Sequence, residues 1–150
     1  AIQSVKDIDL IVVDYLQLLM TTNKAPSNSD NRTASMTYIS NLLKGLAKEI
    51  SCPLISLSQL NRGVEARTDK RPVLSDLRDS GSIEQDADMV IMLYRQEYYD
   101  SIDTGSAEVI IRKNRLGEMG DFELGFDGAK SKFYDLEEQA FGGRKEYGQI

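Results

Sequence analysis

Three groups of residues carry side chains that could do chemistry. The first is Asp14, which closes the run Asp9-Leu10-Ile11-Val12-Val13-Asp14-Tyr15. Four apolar residues, three of them β-branched, precede it without alternation. That is the pattern of a strand covered on both faces, as in a parallel sheet. An acid at the C-terminal end of such a strand lies on the edge where open α/β sheets bind ligands. There it can hold the Mg²⁺ of a bound nucleotide, or it can be an ordinary solvated strand end. The second group is Ser56-Leu57-Ser58-Gln59-Leu60, which ends another apolar strand with a hydroxyl and an amide on the same edge. An uncharged amide at that place can contact a γ-phosphate or an attacking water, or merely cap the sheet.

The third group is positive charge. Arg62, Arg67, Lys70, Arg71 and Arg78 share one loop with Glu65, Asp69, Asp76 and Asp79. That loop is either a solvated, salt-bridged segment or a flexible one that follows a phosphate backbone. Asp79-Ser80-Gly81-Ser82 lacks large side chains, so backbone N–H groups there can approach a phosphate closely. The loop has no aromatic residue, so backbone contact is expected rather than base stacking. A second basic cluster, Arg112-Lys113-Asn114-Arg115, follows a later strand. It is either a solvated strand end or a set of cations offered to a neighbouring subunit's phosphate, an arginine finger in trans. Only an oligomer would use the second.

The elements that must position these groups follow from periodicity. After the first strand, Thr21 to Asn31 has loop composition, with Asn31 or a close neighbour as cap for the next helix. Met36, Ile39, Leu43, Leu46 and Ile50 then make one helical stripe, with Lys44 and Lys48 on the other side. Pro53 bars further helix and opens a second buried strand through Leu57, which completes a βαβ unit. Leu60 to Ser80 is a long loop with one short helical turn, and Ser82 to Ala87 a short helix. Asp88 to Tyr94 reads as a third buried strand and Ala107 to Ile111 as a fourth, separated by a polar, acidic excursion. Phe122 to Phe126 alternates apolar and polar, as a half-exposed antiparallel strand does, and Lys132-Phe133-Tyr134 is its expected partner.

The totals limit what else the chain can be. At 150 residues it is one domain or a large piece of one. No apolar run approaches the roughly 20 residues that cross a bilayer, so no membrane is expected. Cys52 is the only cysteine and histidine is absent, which excludes an internal disulfide and any His-dependent site. These absences point to a cytoplasmic protein whose chemistry rests on carboxylates, Arg, Lys and amides. A net charge of −6 argues against coating by nucleic acid but leaves room for a local basic loop.

Together the segments resemble the C-terminal half of the ATPase domain of bacterial replicative DNA helicases, the DnaB family. The resemblance is carried by Asp9 to Leu18, Leu46 to Glu49 and Leu57 to Leu60, then by Asp69 to Pro72 and Ser75 to Asp88, and lastly by Leu93 to Arg95 and Ile110 to Gly117. It implies an α/β, RecA-like and mostly parallel sheet flanked by helices, with a C-terminal antiparallel hairpin. Residues 1–136 would form the C-terminal portion of the motor domain and residues 137–150 a flexible tail. It implies that Asp14 is the Walker B acid on Mg²⁺, that Gln59 senses the γ-phosphate of ATP, and that Lys113 and Arg115 reach the adjacent subunit's nucleotide. Arg78, Asp79 and Gly81 would hold the single-stranded DNA backbone in the channel of a homo-hexamer. Primase and a helicase loader are the implied protein partners.

The sequence departs from that family in several places. It contains no G-x-x-x-x-G-K-[ST] phosphate loop. The family's catalytic glutamate upstream of the Walker B strand and its primase-binding domain are also missing. Ala1 is therefore read as lying partway into the motor domain, truncated at the N-terminal side, and the 150-residue chain alone is expected to lack ATPase activity. Position 79 is Asp where the family commonly has Glu. Two other readings stand beside this one. The first is a non-catalytic interface or partner-binding fragment. The second is a recombinase-like DNA-repair ATPase, which fits the acid-ended strand but not Ser75 to Asp88.

Overall fold

The computed structural model describes residues 8–22, 29–100 and 104–136, and leaves the side chains of residues 20–22, 29–32 and 78–80 undescribed. The expected tail from residue 137 and most of the expected polar loop, residues 23–28, lie outside the described residues. β1 (Ile11–Val13) and β2 (Leu54–Ser56) pair in parallel, Ile11 opposite Leu54 and Val13 opposite Ser56. α1 (Leu16–Thr22) and α2 (Ser29–Glu49) connect them, which is the expected βαβ unit. Because α2 begins at Ser29, Asn31 lies inside the helix rather than at its cap.

The end of α2 has a clear local cause. The N–H of Cys52 donates to the carbonyl of Ala47 at 3.1 Å and that of Ser51 to Lys48 at 3.3 Å. With Ser51 at φ 51°, this is a Schellman termination, and Pro53 then prevents any return to helix. The apolar stripe of α2 buries Met36 and Ile39 against Leu16, with Val13, Leu19, Leu43 and Ile83 around them. Cys52 is buried, its thiol donating to the Pro53 carbonyl.

The second half of the chain departs from the expected mostly parallel sheet. β3 (Met89–Tyr94), β4 (Ser106–Asn114), β5 (Gly120–Asp127) and β6 (Lys132–Tyr134) form a four-stranded antiparallel sheet in that order. Among its described residues, the β3–β4 connection, residues 95–105, carries only the short α4 (Glu97–Asp100). A parallel return needs a crossover of about a dozen residues or more, usually a full helix. The expected β5–β6 hairpin is present. In it the Tyr134 ring lies so close over Gly125 that any Cβ at that position would overlap it.

Strand burial also differs from expectation. In β1, β2 and β3 one face is covered and the other open: Val12 is 57% exposed, Ile55 51% and Leu93 57%. A continuous apolar run shows that neither face is polar, whereas cover on both faces depends on elements from elsewhere. The covered face of the second sheet buries Val90, Met92 and Ile110 against Leu77, with Leu60, Leu74, Ala87 and Tyr94 packed beside them.

Candidate nucleotide and DNA site

Parallel pairing brings Asp14 and Gln59 to the same edge of the sheet. Asp14 directly follows β1 and Gln59 lies three residues beyond β2. The Leu57 N–H donates to the Val13 carbonyl at 2.9 Å, and the Leu16 N–H to the Leu57 carbonyl at 3.0 Å. Gln17, on the first turn of α1, continues this stitching with its side chain. Its Nε2 donates to Ser58 Oγ at 3.1 Å and to the Gln59 carbonyl at 3.4 Å, while its Oε1 accepts the Gln59 N–H at 3.3 Å. The backbone of Gln59 is thus held from the segment that carries Asp14, and both side chains are exposed.

Among the described residues, no group of three or more His, Cys, Asp or Glu is placed to hold a metal ion. A single exposed carboxylate suits an ion that brings its other oxygens with it. Mg²⁺ does so, binding through one or two carboxylates plus phosphate and water oxygens. The donor set at Asp14 therefore fits Mg²⁺ carried by a nucleotide.

The loop that follows Gln59 is more ordered than its composition suggested. It holds two 3₁₀ segments, Arg62–Ala66 and Leu74–Ser80, and leads directly into α3 (Gly81–Asp86). Among its described side chains, three cations are engaged internally. Arg67 forks onto both carboxylate oxygens of Asp76 at 2.8 and 2.9 Å. Arg71 pairs with Glu108 and, at 3.2 Å, with Asp121. Lys70 lies 5.0 Å from the centre of the Tyr99 ring. The salt-bridged reading of the loop therefore describes Arg67 and Arg71, which carboxylates of the loop and the adjoining strands hold. Arg78 and Asp79 lie on the second 3₁₀ segment and Gly81 begins α3. Gly81 has an ordinary φ of −52°, and a Cβ there would meet nothing within 4 Å, so no described group requires glycine.

Lys113 and Arg115 converge on the other end of the same short helix. The Lys113 ammonium donates to the Glu84 carbonyl and, at 3.2 Å, to that of Gln85. Arg115 donates to the Gln85 carbonyl at 2.6 Å and to Asp88 Oδ1 at 3.1 Å. Cations at a helix C-terminus satisfy carbonyls that lack an intrahelical partner. Asp88 also pairs with Lys44, on the side of α2 away from its apolar stripe. The hydrogen bond from Lys44 holds the Asp88 carboxyl below its ordinary value, with Arg115 adding to the effect. A bulge in β4 sets this placement: Val90 pairs with Lys113 and Ile91 with Ile111, which leaves Arg112 without a partner on β3. Such an extra residue re-aims the side chains beyond it.

Four of the seven residues singled out in the sequence thus fall into two pairs, Asp14 with Gln59 and Lys113 with Arg115. The other three, Arg78, Asp79 and Gly81, occupy the segment between Gln59 and the helix end that the second pair grips. The described bonds of Lys113 and Arg115 run to α3 and Asp88, with none to Asp14 or Gln59. Sequence reasoning missed Gln17, Asp88 and the Arg67–Asp76 pair. Gln17 had a weak signal, an amide one helical turn after the strand-end acid. The ion pairs had none, since several carboxylates and cations in the loop were equally eligible.

Comparison with known proteins gives a consistent result. A family model described as DnaB-like helicase C terminal domain matches residues 1–135. The replicative DNA helicase DnaB of Haemophilus influenzae is 54% identical over 134 residues, covering 88% of this chain and 28% of the relative. A probable replicative DNA helicase of Trieres chinensis is 47% identical over 133 residues, covering 85% of this chain and 29% of the relative. The chain thus spans under a third of these relatives. Among solved structures, one described as an ATPase domain superposes with a TM-score of 0.79 at 43% identity, covering 90% of this chain and 47% of that one. A DnaB-like replicative helicase described with its primase interactions gives a TM-score of 0.78 at 42% identity, covering 90% of this chain and 32% of that one.

Proposed function

The chain belongs to the DnaB-like helicase C-terminal domain family, and from that premise we propose that it is the DNA-contacting portion of a ring-shaped replicative helicase. The parent protein couples ATP hydrolysis to translocation on single-stranded DNA and thereby separates duplex strands. Asp14 holds Mg²⁺ at the nucleotide, and Gln59 reports the γ-phosphate. Arg78, Asp79 and Gly81 hold the DNA backbone, the open space at Gly81 leaving room for close approach. Lys113 and Arg115 act on the nucleotide of the next subunit in a homo-hexamer. Head-to-tail contacts close into a ring when their rotation permits, which suits a residue pair acting in trans. Primase and a loader are partners of the intact protein, the former in keeping with the relative described with primase.

One observation carries this reading. The strand followed by the candidate metal acid is paired in parallel with the strand that leads to Gln59, and a single loop with two 3₁₀ segments connects Gln59 to the candidate DNA segment. The phosphate-binding loop needed for hydrolysis is not in these 150 residues, so the activity is assigned to the full-length protein. Replacing Gln59 with Ala there tests the reading. DNA stimulation of ATP hydrolysis should disappear while basal turnover persists. Unchanged DNA-stimulated turnover would refute it.

A further inference from the structure

Gln59 and Arg78 are nineteen positions apart in the sequence, yet a single backbone hydrogen bond nearly joins them. The N–H of Asn61, two residues after Gln59, donates to the carbonyl of Asp76, two residues before Arg78, at 2.9 Å. Both flanks are anchored in one core, since Leu60 packs against the cluster that contains Leu77. The residues between are anchored by buried Val64 and Pro72 and by Arg71 on Glu108 and Asp121, and one side chain ties the middle of the loop to its far end. Arg67 places Nη1 and Nη2 on the two oxygens of Asp76, and Nη2 also donates to the Arg71 carbonyl at 2.7 Å. Its Nε donates to the Asp69 carbonyl at 3.1 Å. The Asp76 carboxylate is buried and also accepts the Val73 N–H at 2.8 Å. All three guanidinium nitrogens are therefore used, on four acceptors.

We propose that Arg67 is a positioning residue for coupling: its fork on Asp76 clasps the loop so that the Gln59 end and the Arg78–Gly81 end move as one body. The inference rests on the motor reading above and adds a component to it. Without the clasp, a shift at Gln59 would be absorbed by rearrangement of residues 62–75. With it, the displacement passes through Asn61 and Asp76 to the DNA segment. Lysine cannot replace arginine here, because a single ammonium does not span two carboxylate oxygens and two carbonyls in fixed planar geometry.

The test uses full-length hexamers carrying Arg67→Lys and, separately, Asp76→Asn, which keeps the shape and the Val73 bond. Ring assembly and thermal midpoint are checked first. Affinity for a labelled single-stranded oligonucleotide is then measured with ADP and with a non-hydrolysable ATP analogue. The ratio of the two affinities measures coupling. Coupling between two sites commonly corresponds to about 5- to 150-fold in affinity. In Arg67→Lys the ratio should fall at least about fivefold toward unity, with a smaller fall in Asp76→Asn. Two outcomes overturn the proposal: a wild-type ratio in assembled Asp76→Asn rings, or both affinities falling in step with the ratio preserved, which would make the clasp only a scaffold for DNA binding. Failure of the motor reading looks different. The unsubstituted protein would then show no nucleotide dependence of DNA affinity, and the clasp proposal would fall with it.

Discussion

Replacing Arg115 with Ala separates a residue's contribution to folding from its contribution to turnover. In the folded chain Arg115 makes one ion pair, to Asp88 at 3.1 Å, and one bond to the Gln85 carbonyl at 2.6 Å. Its side chain is 49% exposed and that of Asp88 59%. An exposed pair contributes about 0.5 kcal/mol, and a hydrogen bond to a partly solvated carbonyl about 1 kcal/mol. Asp88 keeps Lys44 as a second partner, so no carboxylate is stranded. The expected loss of stability is therefore only about 1–2 kcal/mol, a minor part of the 5–15 kcal/mol typical of a domain. A finger acting in trans is worth about 10³- to 10⁵-fold in turnover. The assay has two arms: urea denaturation of the substituted chain, and ATP hydrolysis by rings mixed from wild-type and variant full-length subunits. If every subunit of a six-membered ring must act in turn, equal mixing leaves about 2% of rings intact, against half the activity for independent subunits. A linear titration would refute the trans role, and a stability loss above about 4 kcal/mol would mark Arg115 as primarily structural.

Three further outcomes are expected. Ile110 is fully buried beside Val90, Met92 and Leu77, so Ile110→Ala should cost about 2–5 kcal/mol in urea denaturation; a loss under about 1 kcal/mol would mean that this core is loosely packed. The hydrogen bond from Arg112 holds the Asp121 carboxyl below its ordinary value of 3.8. Its contribution to stability is therefore fully present above that value and lost as pH falls through the lowered one. An acid titration of the urea midpoint should show this fall, and Asp121→Asn should flatten it. The isolated 150-residue chain, with no phosphate loop in its sequence, should give no saturable Mg·ATP binding by calorimetry, and tight binding would overturn the division of the site proposed above.

The parts of the fold that were legible are those in which spacing alone decides. The helix carrying Met36, Ile39 and Leu43 follows from its three- and four-residue repeat, and the β5–β6 hairpin from alternation around Phe122 to Phe126. That the helix cannot continue past Pro53 follows from that residue alone. Sheet direction in the second half was not legible, because buried apolar strands read alike in parallel and antiparallel sheets. Only the short 95–105 connection, with too little chain for a crossover, separates the two. The open faces of β1 and β3 are not legible for a related reason. The run Leu10 to Val13 records that both faces are apolar, while its cover depends on other elements.

At the candidate site, the sequence by itself determined which side chains could bear chemistry. It picked out an acid and an amide at strand ends, small residues at Asp79 to Ser82, and the cations Arg112 to Arg115, and the Ser75 to Asp88 stretch carried the family. Tertiary structure alone decided how those groups are committed. The β1–β2 register put Asp14 and Gln59 on one edge of the sheet, with Gln17 stitching the two segments together. Spatial proximity tied Arg67 to Asp76 and Arg71 to Glu108, and it set Lys113 and Arg115 on the end of α3. The physical reason is one of range. Helical stripes and strand alternation are set by neighbours a few residues apart, so they are written in the local sequence. The partner of a cation is whichever carboxylate or carbonyl the folded backbone carries within about 3 Å of it. For Arg71 and Glu108 that partner lies 37 residues away.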